Sequence, residues 1–202
     1  GCDGGWLHLP EYGVTLELPD KSLVLFDGQG NAYDAAISKC VRGEVSVQVR
    51  GRREEDRESP LQVTLAQAVS SGERMDYTIQ KAVELGITAI QPLMAERCVV
   101  RLSGERAVKR VTHWQAVVAA ACEQCGRNRV LQVCSPATLS QAIAQLSVAP
   151  LQAARWVLSL APGNRSLQEM MQTLKTPQEA GQSMMSEIIL LSGPEVGLSP
   201  AE

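Results

Sequence analysis

After Pro60 the chain alternates short apolar runs with segments whose apolar residues recur every three or four positions, and this alternation restricts the fold more than any other feature. The spacing predicts strands near residues 61–69, 87–93, 130–134, 155–160 and 187–192, and helices near 73–85, 103–125, 138–147 and 166–174. Parallel strands need crossover connections, which helices supply. The pattern therefore specifies an α/β unit with a mostly parallel sheet and helices packed on its faces. In the longest helix Ala107, Val111, Trp114, Val118, Ala121, Cys122 and Cys125 form one apolar stripe, and Gly126 stops it. Met75, Ile79 and Ala82/Val83 mark the inward side of the helix that follows Gly72.

Before residue 50 the rhythm is different. Val14 to Leu18, Leu23 to Phe26 and the alternating Val45, Val47 and Val49 have period two, and Asp27-Gly28-Gln29-Gly30 is a turn. Short strands without helices predict a small antiparallel barrel or sandwich. The run from Arg50 to Pro60 has no apolar side chain and reads as a linker between two domains.

With 45% hydrophobic and 20% charged residues in 202, the chain has the composition of an ordered globular protein. Its longest apolar runs, such as Ala116 to Cys122, fall far short of the ~20 residues of a membrane-spanning helix. The first residues lack the basic start and apolar stretch of a secretory signal, and the missing initiator Met predicts that the native start lies upstream. Six cysteines scattered through apolar segments fit reduced thiols, and so a cytoplasmic location. No Ser-His-Asp set, Walker A sequence or GxGxxG is present, which argues against hydrolase, P-loop and classical dinucleotide chemistry.

Cys122 and Cys125 have the spacing of a redox pair or half a zinc site, but they lie in a helical stripe and the two histidines, His8 and His113, supply no second paired motif. Core packing is the better reading, so no metal is expected. Net charge is −3, which announces no global basic field. From Glu96 to Arg110, however, five basic residues stand against two acidic ones. Beyond the long helix, Gln124, Arg127, Asn128 and Arg129 bring two guanidinium groups and two amides together within six residues, a set suited to phosphates and base edges. Helix capping by the same residues is an equally good reading of the composition.

Ligands of open parallel sheets bind beyond the carboxyl ends of the strands. The candidate loops there are Ser70-Ser71-Gly72, Ala161-Pro162-Gly163-Asn164 and Gly193-Pro194-Glu195-Val196-Gly197. Ser199-Pro200-Ala201-Glu202 has the capping-box arrangement of a helix start, from which we expect the chain to stop before the site after the last strand is complete.

Taken in order, Leu25-Phe26-Asp27-Gly28, the run Gly72-Glu73-Arg74-Met75 through Ile79 to Gly86, Glu123 to Arg129, and Gly193-Pro194-Glu195 resemble the ribosomal RNA small subunit methyltransferase E family of the SPOUT superfamily. The resemblance covers nearly all of the chain from about Leu23 onward. It implies a PUA-like RNA-binding β-barrel over 1–57 and a SPOUT α/β domain over 58–202, C-terminally incomplete, whose complete form is trefoil-knotted. It also implies S-adenosylmethionine as cofactor, a homodimer, and methylation of N3 of a uridine in 16S rRNA of the small ribosomal subunit. Residue by residue, it assigns Gly193, Pro194, Glu195 and Gly197, with Leu160, Ala161 and Pro162, to the cofactor. Gln124, Arg127, Asn128 and Arg129 are assigned to RNA, Arg127 being the candidate catalytic group. The family loop reads Gly-Pro-Glu-Gly-Gly, whereas Val196 stands fourth here, and the family's knot-closing stretch lies beyond Glu202. An RNA-binding relative without methyl transfer is the alternative reading.

Overall fold

The computed structural model describes residues 2–3, 6–9, 14–17, 22–41, 44–146, 153–159, 163–173, 187–194 and 197–199. The chain forms two compact units, one of Gly1–Arg57 with Gly126–Val130, the other of Glu58–Cys125 with Leu131–Glu202.

The first unit is antiparallel. Strands β1 (Cys2–Asp3), β2 (Trp6–Leu9) and β3 (Val14–Glu17) make one three-stranded sheet, with His8 opposite Thr15. A second sheet joins β4 (Ser22–Phe26), β5 (Ala32–Val41) and β6 (Glu44–Arg53) in that order. Strand β6 runs through Arg50 to Arg53, residues expected in a linker. Their partners decide this: Arg52 is opposite Tyr33, and Arg53 binds Asp34 at 2.7 Å and 2.8 Å. That hydrogen bond also holds the Arg53 guanidinium above its ordinary pKa. Apolar content is thus no requirement for a strand whose ladder partner is already in place.

The second unit contains β7 (Gln62–Ala68), α1 (Glu73–Glu84), β8 (Ala89–Met94), α2 (Gly104–Cys125), β9 (Gln132–Val133), β10 (Ala137–Thr138), α3 (Leu139–Leu146), β11 (Ala154–Leu158), α4 (Leu167–Thr173) and β12 (Glu187–Ser192). Its sheet is parallel in every pairing and runs β10-β8-β7-β12-β11, with β9 also against β8. The last strand in sequence therefore lies inside the sheet, between β7 and β11. The two-residue β10 is the one strand of this unit that periodicity does not predict.

Sequence pattern explains the helices. In α1 Met75, Ile79, Ala82 and Val83 are buried, and Gly86, at φ 87°, breaks the helix. In α2 Trp114, Val118, Ala121 and Cys122 are buried, while Ala107, Val111 and Cys125 lie half-buried along the same stripe. His113, though exposed on α2, meets Asp76 of α1 at 2.7 Å. The Gln115 side chain ties α2 to β9, donating to the Leu131 carbonyl at 2.8 Å and accepting from the Val133 N–H at 3.1 Å. Two short helices carry reciprocal caps. Thr138 and Gln141 exchange side-chain-to-backbone bonds at the start of α3, and Ser166 and Glu169 do the same for α4. No helix of the described residues is long and apolar enough to cross a membrane.

Candidate functional site

Because β7, β12 and β11 are adjacent and parallel, their carboxyl ends open on one edge of the sheet. After β7, Val69 is buried and its N–H donates to the Leu93 carbonyl at 2.9 Å, so Ser70, Ser71 and Gly72 leave the sheet from a fixed point. After β11, the Asn164 amide donates to the Ser159 carbonyl at 2.9 Å. After β12, the Gly197 N–H donates to the Pro194 carbonyl at 2.7 Å. One glycine follows each strand in the left-handed region: Gly72 at φ 57°, Gly163 at φ 86° and Gly197 at φ 77°. Among the described residues, apart from the chain neighbours, no heavy atom lies within 4 Å of where a Cβ on any of the three would sit. The edge thus exposes bare backbone at three successive strand ends.

Gly193 serves a different purpose. A Cβ there would come within 3.1 Å of Leu198 Cγ, so the missing side chain lets residues 197–199 fold back. Leu198 and Leu191 then rest on a buried cluster that includes Ala66, Ala68, Leu93, Ala95, Ala137 and Ala142. Alanines at the strand ends leave the room that Leu198 fills. Residues 69–72, 192–194 and 197–199 contain no charged side chain. Chemically, these stretches offer backbone donors and acceptors at close range to a flat, polar group.

The residues expected at an RNA surface have another setting. Gly126 to Val130 fold as a strap onto the first unit, interrupting the stretch 58–202 that sequence reasoning treats as one domain. Gly30 N–H donates to the Asn128 carbonyl at 3.0 Å, Val130 N–H donates to the Gly28 carbonyl at 2.9 Å, and Gln29 and Arg129 form an antiparallel bridge. The Asn128 side-chain amide donates at 3.0 Å to both the Gly30 and the Glu55 carbonyls. Opposite the strap, the Asp27 carboxylate accepts from the Asn31 side chain at 2.6 Å and from the Gln29 and Asn31 backbone at 2.8 Å and 3.1 Å. The Asn31 bond, then the Gln29 bond, hold its carboxyl below the usual carboxylate range.

Arg127 and Asn128 are therefore buried, Arg129 is exposed, and Gln124 is exposed on the last turn of α2 in the other unit. Gly193 and Pro194 are half-buried and Gly197 is exposed. Leu160, Ala161, Pro162, Glu195 and Val196, and the helix start at Pro200 to Glu202, lie outside the described residues. The packing of Leu198 and the pairing of the Asp27 turn with the strap escape sequence reasoning, since each joins segments whose contact no local pattern records. Three of the thiols are poor nucleophile candidates: Cys98 and Cys122 are buried, and burial pushes the Cys134 thiol up.

Comparison with known proteins gives the lineage. The curated relative from Buchnera aphidicola subsp. Schizaphis graminum, named ribosomal RNA small subunit methyltransferase E, is 31% identical over 131 residues, 65% of this chain and 53% of its own. The Bacillus subtilis protein of the same name is 29% identical over 176 residues, 85% of this chain and 66% of its own. The chain spans about half the length of the first curated relatives it matches. Among solved structures, ribosomal RNA small subunit methyltransferase E from Neisseria gonorrhoeae, described as bound to S-adenosyl methionine, superposes with a TM-score of 0.73 at 37% identity, covering 91% of this chain and 69% of that one. The family model for the RNA methyltransferase domain matches residues 57–202, and the chain belongs to that family.

Proposed function

We propose that the protein methylates N3 of a uridine in 16S rRNA of the small ribosomal subunit, with S-adenosylmethionine as donor, acting in the cytoplasm as a homodimer. The observation that carries this reading is the shared edge at the ends of β7, β12 and β11, with a left-handed glycine after each strand at Gly72, Gly163 and Gly197. Such an edge suits an adenosine, whose ring edges and ribose hydroxyls are read by backbone groups and whose faces need small neighbours. Gly193, Pro194, Glu195 and Gly197, with Leu160, Ala161 and Pro162, are the residues assigned to hold it.

When bound, S-adenosylmethionine supplies a sulfonium methyl as the electrophile. The chain's own part is to hold the base and to ease loss of its N3 proton. The Arg127 guanidinium is assigned to stabilise the negative charge that spreads onto the uracil carbonyls as that proton leaves. Gln124 and Arg129 are assigned to the RNA. Asn128 contributes by holding the strap, since both its amide hydrogens are engaged by carbonyls.

Calorimetric titration of S-adenosylmethionine into this chain, followed by mass spectrometry of unmethylated 16S rRNA incubated with both, tests the reading. Saturable cofactor binding and a new 3-methyluridine are expected. Cofactor binding with no methyl transfer to the RNA would favour the non-catalytic relative, and absence of binding would remove the methyl-donor assignment.

A further inference from the structure

An ideal Cβ on Gly30 would lie 3.0 Å from each of Cζ, Nε and Nη2 of Arg129. Within the plane of a guanidinium, the one point equidistant from those three atoms lies about a bond length from each. A point at 3.0 Å from all three is therefore above the face of the group, not at its edge. The Arg129 guanidinium thus turns a face toward Gly30. Its main chain is anchored as well, by the bridge to Gln29 and the bonds from Gly30 and Val130 on either side. Arg129 is nevertheless exposed. A long side chain ordinarily spends rotamer entropy when it binds; here the ordering precedes any ligand.

We infer that Arg129 presents the face of its guanidinium as a stacking platform for an unpaired RNA base, and that Gly30 is the positioning residue that seats it. A planar cation backed by a peptide and reachable from solvent matches the way Arg takes splayed-out bases. Gly30 suits this seat twice over. Its φ of 108° is disfavoured for other residues, and an added Cβ would press on the guanidinium, which would have to give by a few tenths of an ångström. The inference rests on the RNA-binding reading above and adds the mode of contact and the residue that enforces it.

The test separates stacking from phosphate binding. This chain and its Arg129→Ala, Arg129→Lys and Gly30→Ala variants are titrated with an unmethylated 16S rRNA transcript over a salt series. Lys keeps the charge and loses the plane. Arg129→Lys should therefore weaken binding nearly as much as Arg129→Ala, roughly tenfold, while keeping the parent salt dependence. Gly30→Ala should lose a similar factor alone and nothing further in the Arg129→Ala background; a merely structural loss would persist in both backgrounds. Parent-like binding by Arg129→Lys would overturn the proposal in favour of a phosphate contact. An RNA that fails to bind the parent chain would instead refute the RNA-binding reading itself.

Discussion

Replacing Asn128 by Ala tests whether the strap is held by the side chain that the geometry implicates. Asn128 is only 5% exposed, and its amide donates at 3.0 Å to the Gly30 and Glu55 carbonyls. Each hydrogen bond is worth about 1 kcal/mol net, so the loss of both is about 2 kcal/mol. Hydrogen exchange reads this locally through the amides of Gly30 and Val130, which bond across the strap. At about 1.4 kcal/mol per factor of ten, their exchange should accelerate by roughly 30-fold. The ladder amides of β12 in the other unit should not respond. Asn128→Asp, nearly isosteric but without donors, should cost more than Ala, because it sets a second acceptor against two carbonyls. Unchanged exchange at Gly30 and Val130 in both variants would refute the assignment.

Gly197→Ala forces a side chain into a φ of 77°, at a cost of about 1–2 kcal/mol, so calorimetry should show S-adenosylmethionine bound roughly tenfold more weakly. Equal affinity would mean that the turn after β12 does not shape the cofactor site. Glu169 supplies a pH dependence. Its carboxylate accepts from the Ser166 backbone at 2.7 Å and the Ser166 hydroxyl at 3.0 Å, and these bonds, the backbone one first, hold its pKa below the ordinary value. A depressed carboxylate stabilises the folded helix above its unfolded pKa and loses that contribution as pH falls through the folded one. Amide resonances of α4 should therefore fray on acidification below the ordinary carboxylate range, and Glu169→Gln should flatten the response; an α4 indifferent to acid would contradict the cap.

Period and punctuation were enough for most elements, because they are local properties. The buried face of α1 through Met75, Ile79 and Val83, the α2 stripe ending at Gly126 and the apolar run of β12 each follow from residues a turn or a pleat apart. The same locality limits what could be read of the site. Gly193 and Gly197 stand out in sequence, but the reason Gly193 must be small is Leu198 folding back onto alanines from β7, β10 and α3 and onto Ala95 just after β8. Polar composition made Arg50 to Arg53 look like a linker, whereas pairing with Tyr33 and Asp34 makes them strand.

By itself the sequence determined every helix and most of the strands of the α/β unit, their amphipathic faces, and, through the order of its motifs, the family. Only the tertiary structure decided that β12 enters between β7 and β11, bringing three glycine-bearing strand ends to one edge. It also decided that Gly126 to Val130 belong with the Asp27 turn, where Asn128 is a buried clasp and Arg129 turns a face of its guanidinium toward Gly30. The physical reason is that side-chain periodicity records which face of an element is buried, while the partner that buries it is chosen by contacts between residues as far apart as Gly30 and Asn128.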